Sequence, residues 1–406
     1  MHEPNRRELL TGAFTAGAGS LLISRADAQT AEAPRRDRKI KLGVVGNGGR
    51  GGWITNLFAQ DGGYTIHAVA DYHQEVADRC GDAHGVERSR RYSGLSGYKR
   101  LLESGIEAVA LETPPYFFPE HALAAAKAGL HVYMAKPVAV DVPGCRQIEA
   151  AARLATASRR VFLVDYQMPT DAANIEVVKQ VRAGAIGRLE VLNSYYLASP
   201  FRDPPLEPTI EERLISLIWV NDIAIGGGYH VNACIHAVDA AMWAAGAVPV
   251  AAMGVSRAGR VDPHGDSHDI FALTFEFGDG LILQHRGKHI TDMAGGGDFC
   301  GCTIHGQRGN AWISYAAKAT LVSGDGAYKA EVPNLYEMGA RRNIAAFYKC
   351  VTEGDCANSS VRHALDSCLT TILGREAGRR RARITMQQLI REDRRLEVNL
   401  KGLRSG

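Results

Sequence analysis

The chain has 406 residues, a formal net charge of +3, 46% hydrophobic and 22% charged residues. So small a charge excess, with no basic stripe interleaved with aromatics, excludes a nucleic-acid binder or a membrane-surface binder, and the apolar fraction is that of an ordinary globular protein. Eight cysteines without a repeated spacing do not make a disulfide framework. Cys300-x-Cys302 with His305 lacks a second ligand cluster at a zinc-like spacing, so that stretch reads as a structural strand or loop and no metal is expected.

In chain order, the first element is an export leader. Arg6 and Arg7 precede the apolar run Ala13–Ile23, and Ala26-Asp27-Ala28 supplies the small residues of a cleavage site. The paired arginines mark the bacterial twin-arginine route, which carries folded proteins, and the run is shorter than the roughly 20 residues that cross a bilayer, so no permanent anchor is expected. The reading is a periplasmic protein with a signal peptide over 1–28, a polar linker over 29–38, and two domains, because the remainder exceeds what one core holds. The boundaries are 39–165 for the first and 166–406, with C-terminal helices, for the second.

Lys39–Val45 is a β-branched run, and Gly46-x-Gly48-x-x-Gly51 follows at once, ahead of helix-like "WITNLFAQ". The spacing predicts a dinucleotide cradle: a turn glycine, a glycine that lets the pyrophosphate approach, and a third that lets strand and helix close. Gly46, Asn47, Gly48, Gly49, Arg50 and Gly51 are the candidate cofactor contacts. "YTIHAVAD" is a second strand ending in Asp71, 20 residues after Gly51, the place of an acid that accepts from a ribose 2′-hydroxyl and repels a 2′-phosphate. NAD is therefore expected over NADP. "IEAVALETPP" gives a third strand and a turn at Thr113, Pro114 and Pro115, and "PEHALAAAKAGLHVYMAKPVAV" a helix and a fourth strand with Lys136 just past its end. Alternating strands and helices argue for a parallel, doubly wound sheet, whose ligands sit at the carboxyl ends of the strands.

Farther on, "VDYQMP" places Tyr166 and Gln167 at the junction of the halves as cleft candidates. "YHVNACIHAVDAAMWAAG" reads as one helix over 229–246, with Asn232, His236 and Asp239 on a shared face and His230 pointing elsewhere. Tyr229, His230, Asn232, His236 and Asp239 are the candidate substrate contacts. His264, Asp266, His268 and Asp269 read as a solvated turn. His285 and His289 would share one strand face that could look into the cleft.

The stretches "VVGNGGRG", "ETPPYFFPEHALAAAKAGLHVYMAKPVAV" and "GGGYHVNACIHAVDAAMW" together resemble the glucose-fructose oxidoreductase, inositol dehydrogenase and MocA family, from about Lys39 to Leu400. The resemblance implies an α/β architecture: a Rossmann domain, then an α/β domain with an open, mostly antiparallel sheet, the active site between them, and a homo-oligomer. It puts the family's motif lysine on Lys136 and its histidine on His236. Two positions depart from the pattern: Ala135 stands where the family usually has Glu, and Asn232 where many dehydrogenases have Asp. Removing hydride from a carbinol carbon requires a base on the hydroxyl, and His236 is assigned as base with Lys136 as polariser, roles that can be exchanged; Tyr166 is a further candidate for proton removal at carbon.

An exported enzyme with a cytoplasmic cofactor is consistent only if NAD is loaded before export and regenerated on the protein. The expected chemistry is therefore a closed cycle on a sugar, cyclitol or glycoside: paired oxidation and reduction, inversion of one centre, or glycoside cleavage through oxidation, elimination, hydration and reduction, as in some relatives. A soluble dehydrogenase with exchanging NAD and a non-catalytic sugar-binding protein are the competing classes.

Overall fold

The computed structural model describes residues 36–290 and 299–406, so the expected leader and most of the linker lie outside the described residues. Strands β1 (Ile40–Val45), β2 (Tyr64–Asp71), β3 (Arg91–Ser93), β4 (Ala108–Leu111), β5 (His131–Ala135) and β6 (Phe162–Asp165) form one sheet in the order β3-β2-β1-β4-β5-β6. Every pairing in it is parallel. Runs such as Ala108-Val109-Ala110-Leu111 are buried throughout, as strands covered on both faces require. The crossovers carry α1 (Gly49–Asp61), α2 (Gln74–Ala83), α3 (Gly97–Leu102), α4 (Phe118–Lys127) and α5 (Val142–Ala157). The strand order reverses between β1 and β4, and the crevice beyond their carboxyl ends is where such sheets bind ligands.

Helix α6 (Ala172–Arg182) opens the second half, capped by Asp171, whose carboxylate accepts from the Ala173 and Asn174 amides at 3.1 Å. Strands β7 (Leu189–Ala198), β8 (Ala251–Arg257), β9 (Ile270–Glu276), β10 (Ile282–His289), β11 (Cys300–Gly306), β12 (Gly309–Ser314), β13 (Lys318–Ser323), β14 (Gly326–Glu331) and β15 (Ile384–Thr385) build a nine-stranded sheet in the order β14-β13-β12-β11-β7-β10-β9-β8-β15. Only β10 with β7 is parallel, so the expected α/β architecture with an open, mostly antiparallel second sheet holds. Cys300 and Cys302 lie on β11, and no disulfide joins any of the eight cysteines.

The expected single helix over 229–246 is corrected. Beyond α7 (Ile223–Gly226) the chain forms α8 (Gly228–Asn232), breaks at Ala233-Cys234, and resumes as α9 (Ile235–Ala245). The Cys234 amide donates five residues back, to the Tyr229 carbonyl, and the His236 amide only three back, to Ala233. That mismatched ladder rotates α9 relative to α8, so spacings counted on one helix no longer predict a shared face.

Helix α10 (Leu335–Glu353) returns to the first sheet, where Ile344, Phe347 and Tyr348 complete a core with Ile40, Leu42, Phe58 and Tyr64. Helix α11 (Ser359–Arg380) packs on α5, α8, α9 and β8, and α12 (Met386–Glu392) follows β15. Among the described residues no helix is long and apolar enough to cross a membrane.

Candidate active site

The turn after β1 has the geometry of a nucleotide cradle. Gly46 sits at φ +89°, and a Cβ on Gly51 would fall 1.9 Å from the Gly46 carbonyl oxygen, so no other residue fits between strand and helix. A Cβ on Gly48 or Gly49 would meet nothing within 4 Å, leaving the backbone open to a ligand at the start of α1. Asp71, at the end of β2, accepts from the Asn47 amide at 2.7 Å and the His73 amide at 3.0 Å. Burial pushes its carboxyl up against the hold of those two amides.

These groups line a cleft of about 900 Å³ that also takes in Arg50, Thr113, Pro114, Trp219 and Tyr336. An open glycine backbone with an acid beyond it fits a pyrophosphate and a ribose diol, so the residues present suit NAD. The Asn47 side chain instead donates to the Ala70 carbonyl at 2.7 Å and ties β1 to β2. Pro115 is buried behind the wall. Gln167, also buried, reaches Asp165 at 3.5 Å.

At the inner end of this cleft, charged side chains from the carboxyl ends of β4, β5 and β6 meet. Arg50 pairs with Glu112 at 3.2 Å and with Asp165, and Asn343 on α10 donates to Asp165 at 2.6 Å. Burial raises the Glu112 carboxyl to about 7 despite Arg50 and Lys136 nearby. Sequence reading missed Glu112, Asp165 and Asn343. Both acids end apolar strands, the same signal that marked Asp71, and so they were findable.

Lys136, just past β5, donates from Nζ to the Asn232 carbonyl at 2.8 Å. Burial and the neighbouring Arg50 lower its ammonium to about 7, against the opposing pull of Asp165, Cys300 and Glu112. His236, at the start of α9, is half-buried and well below its ordinary value through burial and the cations Lys136 and Arg50. It is held as a neutral imidazole. The structure therefore places Lys136 near His236 and against the backbone carbonyl of Asn232.

Four other candidates are corrected. Tyr166 turns to the opposite side of β6 from Asp165: it is core-buried, its hydroxyl sits beside Ser367, and its ring is 5.7 Å from His363. Asp239 faces α11, pairing with His363 at 2.6 Å and accepting from Ser367 at 2.6 Å. The Tyr229 hydroxyl binds the Tyr196 and Lys288 carbonyls at 3.0 and 2.8 Å, and His230 is fully buried against Phe271. None of the four lines the cleft; Lys136 and His236 do not line it either but stand beside Arg50, which does. Alternation along the strand explains Tyr166, and Asp239, on the same unbroken α9 as His236, is turned to α11 by its contacts with His363 and Ser367. His285 and His289 do share a face of β10, but it looks onto α8 rather than into the cleft. In the polar turn after β8 Asp266 is exposed and His264 and His268 are half-buried, while Asp269 is buried and accepts from the Gly259 and Arg260 amides at 2.7 and 2.9 Å.

Residues 40–166 match the oxidoreductase family, NAD-binding Rossmann fold, of the GFO/IDH/MocA group, and residues 175–312 match the GFO/IDH/MocA C-terminal domain. A glycosyl hydrolase family 109 protein of Streptomyces coelicolor is 29% identical over 46% of this chain and 42% of its own. An inositol 2-dehydrogenase of Rubrobacter xylanophilus is 28% identical over 50% of this chain and 52% of its own; the chain thus spans about half the length of these curated relatives. The solved structure of a levoglucosan dehydrogenase in complex with NADH and levoglucosan covers 86% of the chain and 100% of its own at a TM-score of 0.70 and 18% identity, a likeness of fold. With both domains matched over more than half of its residues, a cradle that fits NAD and the lysine and histidine at its inner end, the chain belongs to the GFO/IDH/MocA family of oxidoreductases.

Proposed function

We propose that the protein is an exported NAD-dependent oxidoreductase that acts on a hydroxyl of a sugar, cyclitol or glycoside and recycles its cofactor without releasing it. The observation that carries the reading is Lys136, an amine brought to about 7 beside a neutral His236 at the inner end of the nucleotide cleft. NAD, when bound, supplies the hydride acceptor. The substrate hydroxyl gives its proton to Lys136, whose affinity near neutral suits a general base, while His236 orients the hydroxyl by hydrogen bonding. This exchanges the roles assigned from sequence. Glu112, also near 7, is matched to share the proton that Lys136 takes up.

Two features support retention of the cofactor. The C-terminal tail is tied to Tyr72 and Leu95, which line the cleft beside Asp71: the Leu95 and Ser96 amides donate to the Arg404 and Ser405 carbonyls at 3.0 and 2.7 Å, and the Arg404 guanidinium stands 5.2 Å over the Tyr72 ring. The paired Arg6-Arg7 of the leader suit export of the folded, loaded protein to the periplasm through the twin-arginine machinery. Exposed Met253, Val255 and Ile282 on β8 and β10 suit a homo-oligomer packed through the open sheet. The sugar-related names of the relatives favour a glycoside or polyol, with glycoside cleavage by a closed redox cycle among the outcomes.

The test is the mass spectrum and absorbance of protein purified without added nucleotide, then mixed with a panel of sugars, inositols and aryl glycosides. Bound NAD that survives dialysis, and a transient reduced-nicotinamide band without net accumulation, are expected. Freely lost NAD with stoichiometric accumulation of NADH would make it an ordinary dehydrogenase instead. Ligand binding without any reduced nicotinamide would make it a sensor.

A further inference from the structure

Beneath the broken helix pair lies a cluster that the proposed reaction does not use. His230 of α8, Cys234 at the break and His285 of β10 bring two ring nitrogens and a sulfur within 4.8 Å of one another, and their exposures are 0%, 0% and 1%. Neither ring nitrogen of His230, nor Nε2 of His285, has a hydrogen-bond partner among the described residues. Leaving such groups buried and unsatisfied is costly, and a native structure that does so calls for an ion or another explanation.

The surroundings resemble those of a metal site. Nδ1 of His285 lies 2.8 Å from the Ser194 hydroxyl; with that nitrogen donating, Nε2 presents its lone pair inward, the way an outer partner orients a ligating imidazole. Glycines stand on both sides. A Cβ on Gly287 would come 2.8 Å from the Cys234 sulfur and 3.5 Å from His285 Nε2, and one on Gly374 would come 2.6 Å from His230 Nε2. The Tyr229 hydroxyl also lies against the sulfur.

We propose that His230, Cys234 and His285 bind one thiophilic transition-metal cation, zinc(II) or copper(I), that clamps the break between α8 and α9 onto β10. A set of two imidazoles and a thiolate, with no carboxylate, suits these ions and not magnesium or calcium. On binding, the Cys234 S–H bond breaks, its proton leaves to solvent, and the sulfur lone pair forms the metal bond; no electron is exchanged. Arg375, held by the Val140 and Gly227 carbonyls at 2.9 and 3.1 Å and paired with Glu376, is the cation acting on His230. With Arg375 offset by Glu376, the balance of the ligands themselves favours copper(I), which one thiolate neutralises, over zinc(II), which keeps one positive charge. Because Cys234 stands two residues from both Asn232 and His236, the clamp fixes the helix ends that carry the Lys136 contact and the imidazole.

The measurement is elemental analysis of the full chain as purified without chelator, then titration of the chelator-stripped chain with zinc(II) and, anaerobically, copper(I), with X-ray absorption on the loaded sample. About one metal per chain, ligated by one sulfur and two imidazole nitrogens, is expected, and Cys234→Ala should lower the content at least about tenfold while exposed His305→Asn leaves it unchanged. Which metal is taken up distinguishes the two ions. A stripped wild-type chain that takes up neither, or a bound metal without a sulfur ligand, overturns the proposal whether or not the variants fold.

Discussion

Lys136 is the residue on which the chemistry turns, and its environment fixes the direction of the pH dependence. Its ammonium is lowered to about 7, so the neutral amine that can take a proton predominates only above that value. If Lys136 is the base, turnover rises with pH through about 7, and Lys136→Ala lowers kcat by about 10²–10⁴-fold with bound nucleotide retained; a variant that keeps the wild-type pH–rate profile would return the role to His236. The glycines give a sharper contrast. Gly51→Ala drives a Cβ into the Gly46 carbonyl and should abolish nucleotide content and lower Tm, whereas Gly49→Ala meets nothing and should leave Tm within about 2 °C of wild type, a change below about 0.5 kcal/mol, while weakening NAD. Chromatography of released nucleotide and a thermal melt check both. Single residues at strand ends were the most legible part of the site, since Gly46, Gly51, Asp71 and Lys136 each follow from where a parallel strand must stop. Glu112 and Asp165 obey the same rule and were overlooked because each sits beside a more conspicuous neighbour, Thr113-Pro114-Pro115 in one case and Tyr166 in the other.

Among elements, β1, β2, β4 and β5 were readable as apolar runs closed by Gly46, Asp71, Glu112 and Lys136, whereas the short β3, Arg91-Tyr92-Ser93, carries no such run and neither it nor β6 was read as a strand. The break between α8 and α9 was not legible, since Ala233-Cys234 carries neither proline nor glycine, and it is the packing of His230 and Cys234 on β10 that accompanies the shift. The contacts of Asp239 with His363 and Ser367 of α11, far away in sequence, were likewise hidden from a count of helix spacing. The return of α10 to the first core was equally hidden, because its contacts with β1 and β2 are separated by some 280 residues in sequence and nothing local records them. The C-terminal tail is another long-range element, and it carries a prediction. It holds residues 95 and 96 by backbone hydrogen bonds and stacks Arg404 on Tyr72, next to Asp71. Removing residues 402–406 should speed NAD dissociation, measured by displacement with excess labelled NAD, by at least about tenfold, the loss of about 1.4 kcal/mol, with little change in Tm. An unchanged dissociation rate would mean that the tail is merely attached to the surface.

At the scale of the whole molecule, the buried titratable groups make folding itself depend on pH, and the signs do not all agree. His121 is 5% exposed and lowered by burial to about 3, and His131 is lowered to about 4 by burial with help from Arg160 and Arg38. For a histidine lowered in the folded state, the unfolded chain binds more protons below about 6.5, so stability is intact above that value and lost as pH falls toward the folded one. Glu112 works the other way. Its carboxyl is raised to about 7, so its contribution is present below about 4.5 and lost as pH rises through 7. Between 4.5 and 6.5 the carboxyl therefore offsets only one histidine, and since His236, His285 and His289 are lowered by burial in the same way, the net loss on acidification exceeds one proton, or about 1.4 kcal/mol per pH unit. Below about 4.5 that offset ends. His121→Phe keeps an aromatic ring against Tyr98, now 4.1 Å away, and removes one of the opposing protons. Its Tm should match wild type near pH 7.5 and exceed it by several degrees, about 4 °C or more, at pH 5. Parallel Tm–pH curves for the two chains would show that His121 is already accessible to protons in the folded state, and that acid sensitivity resides elsewhere.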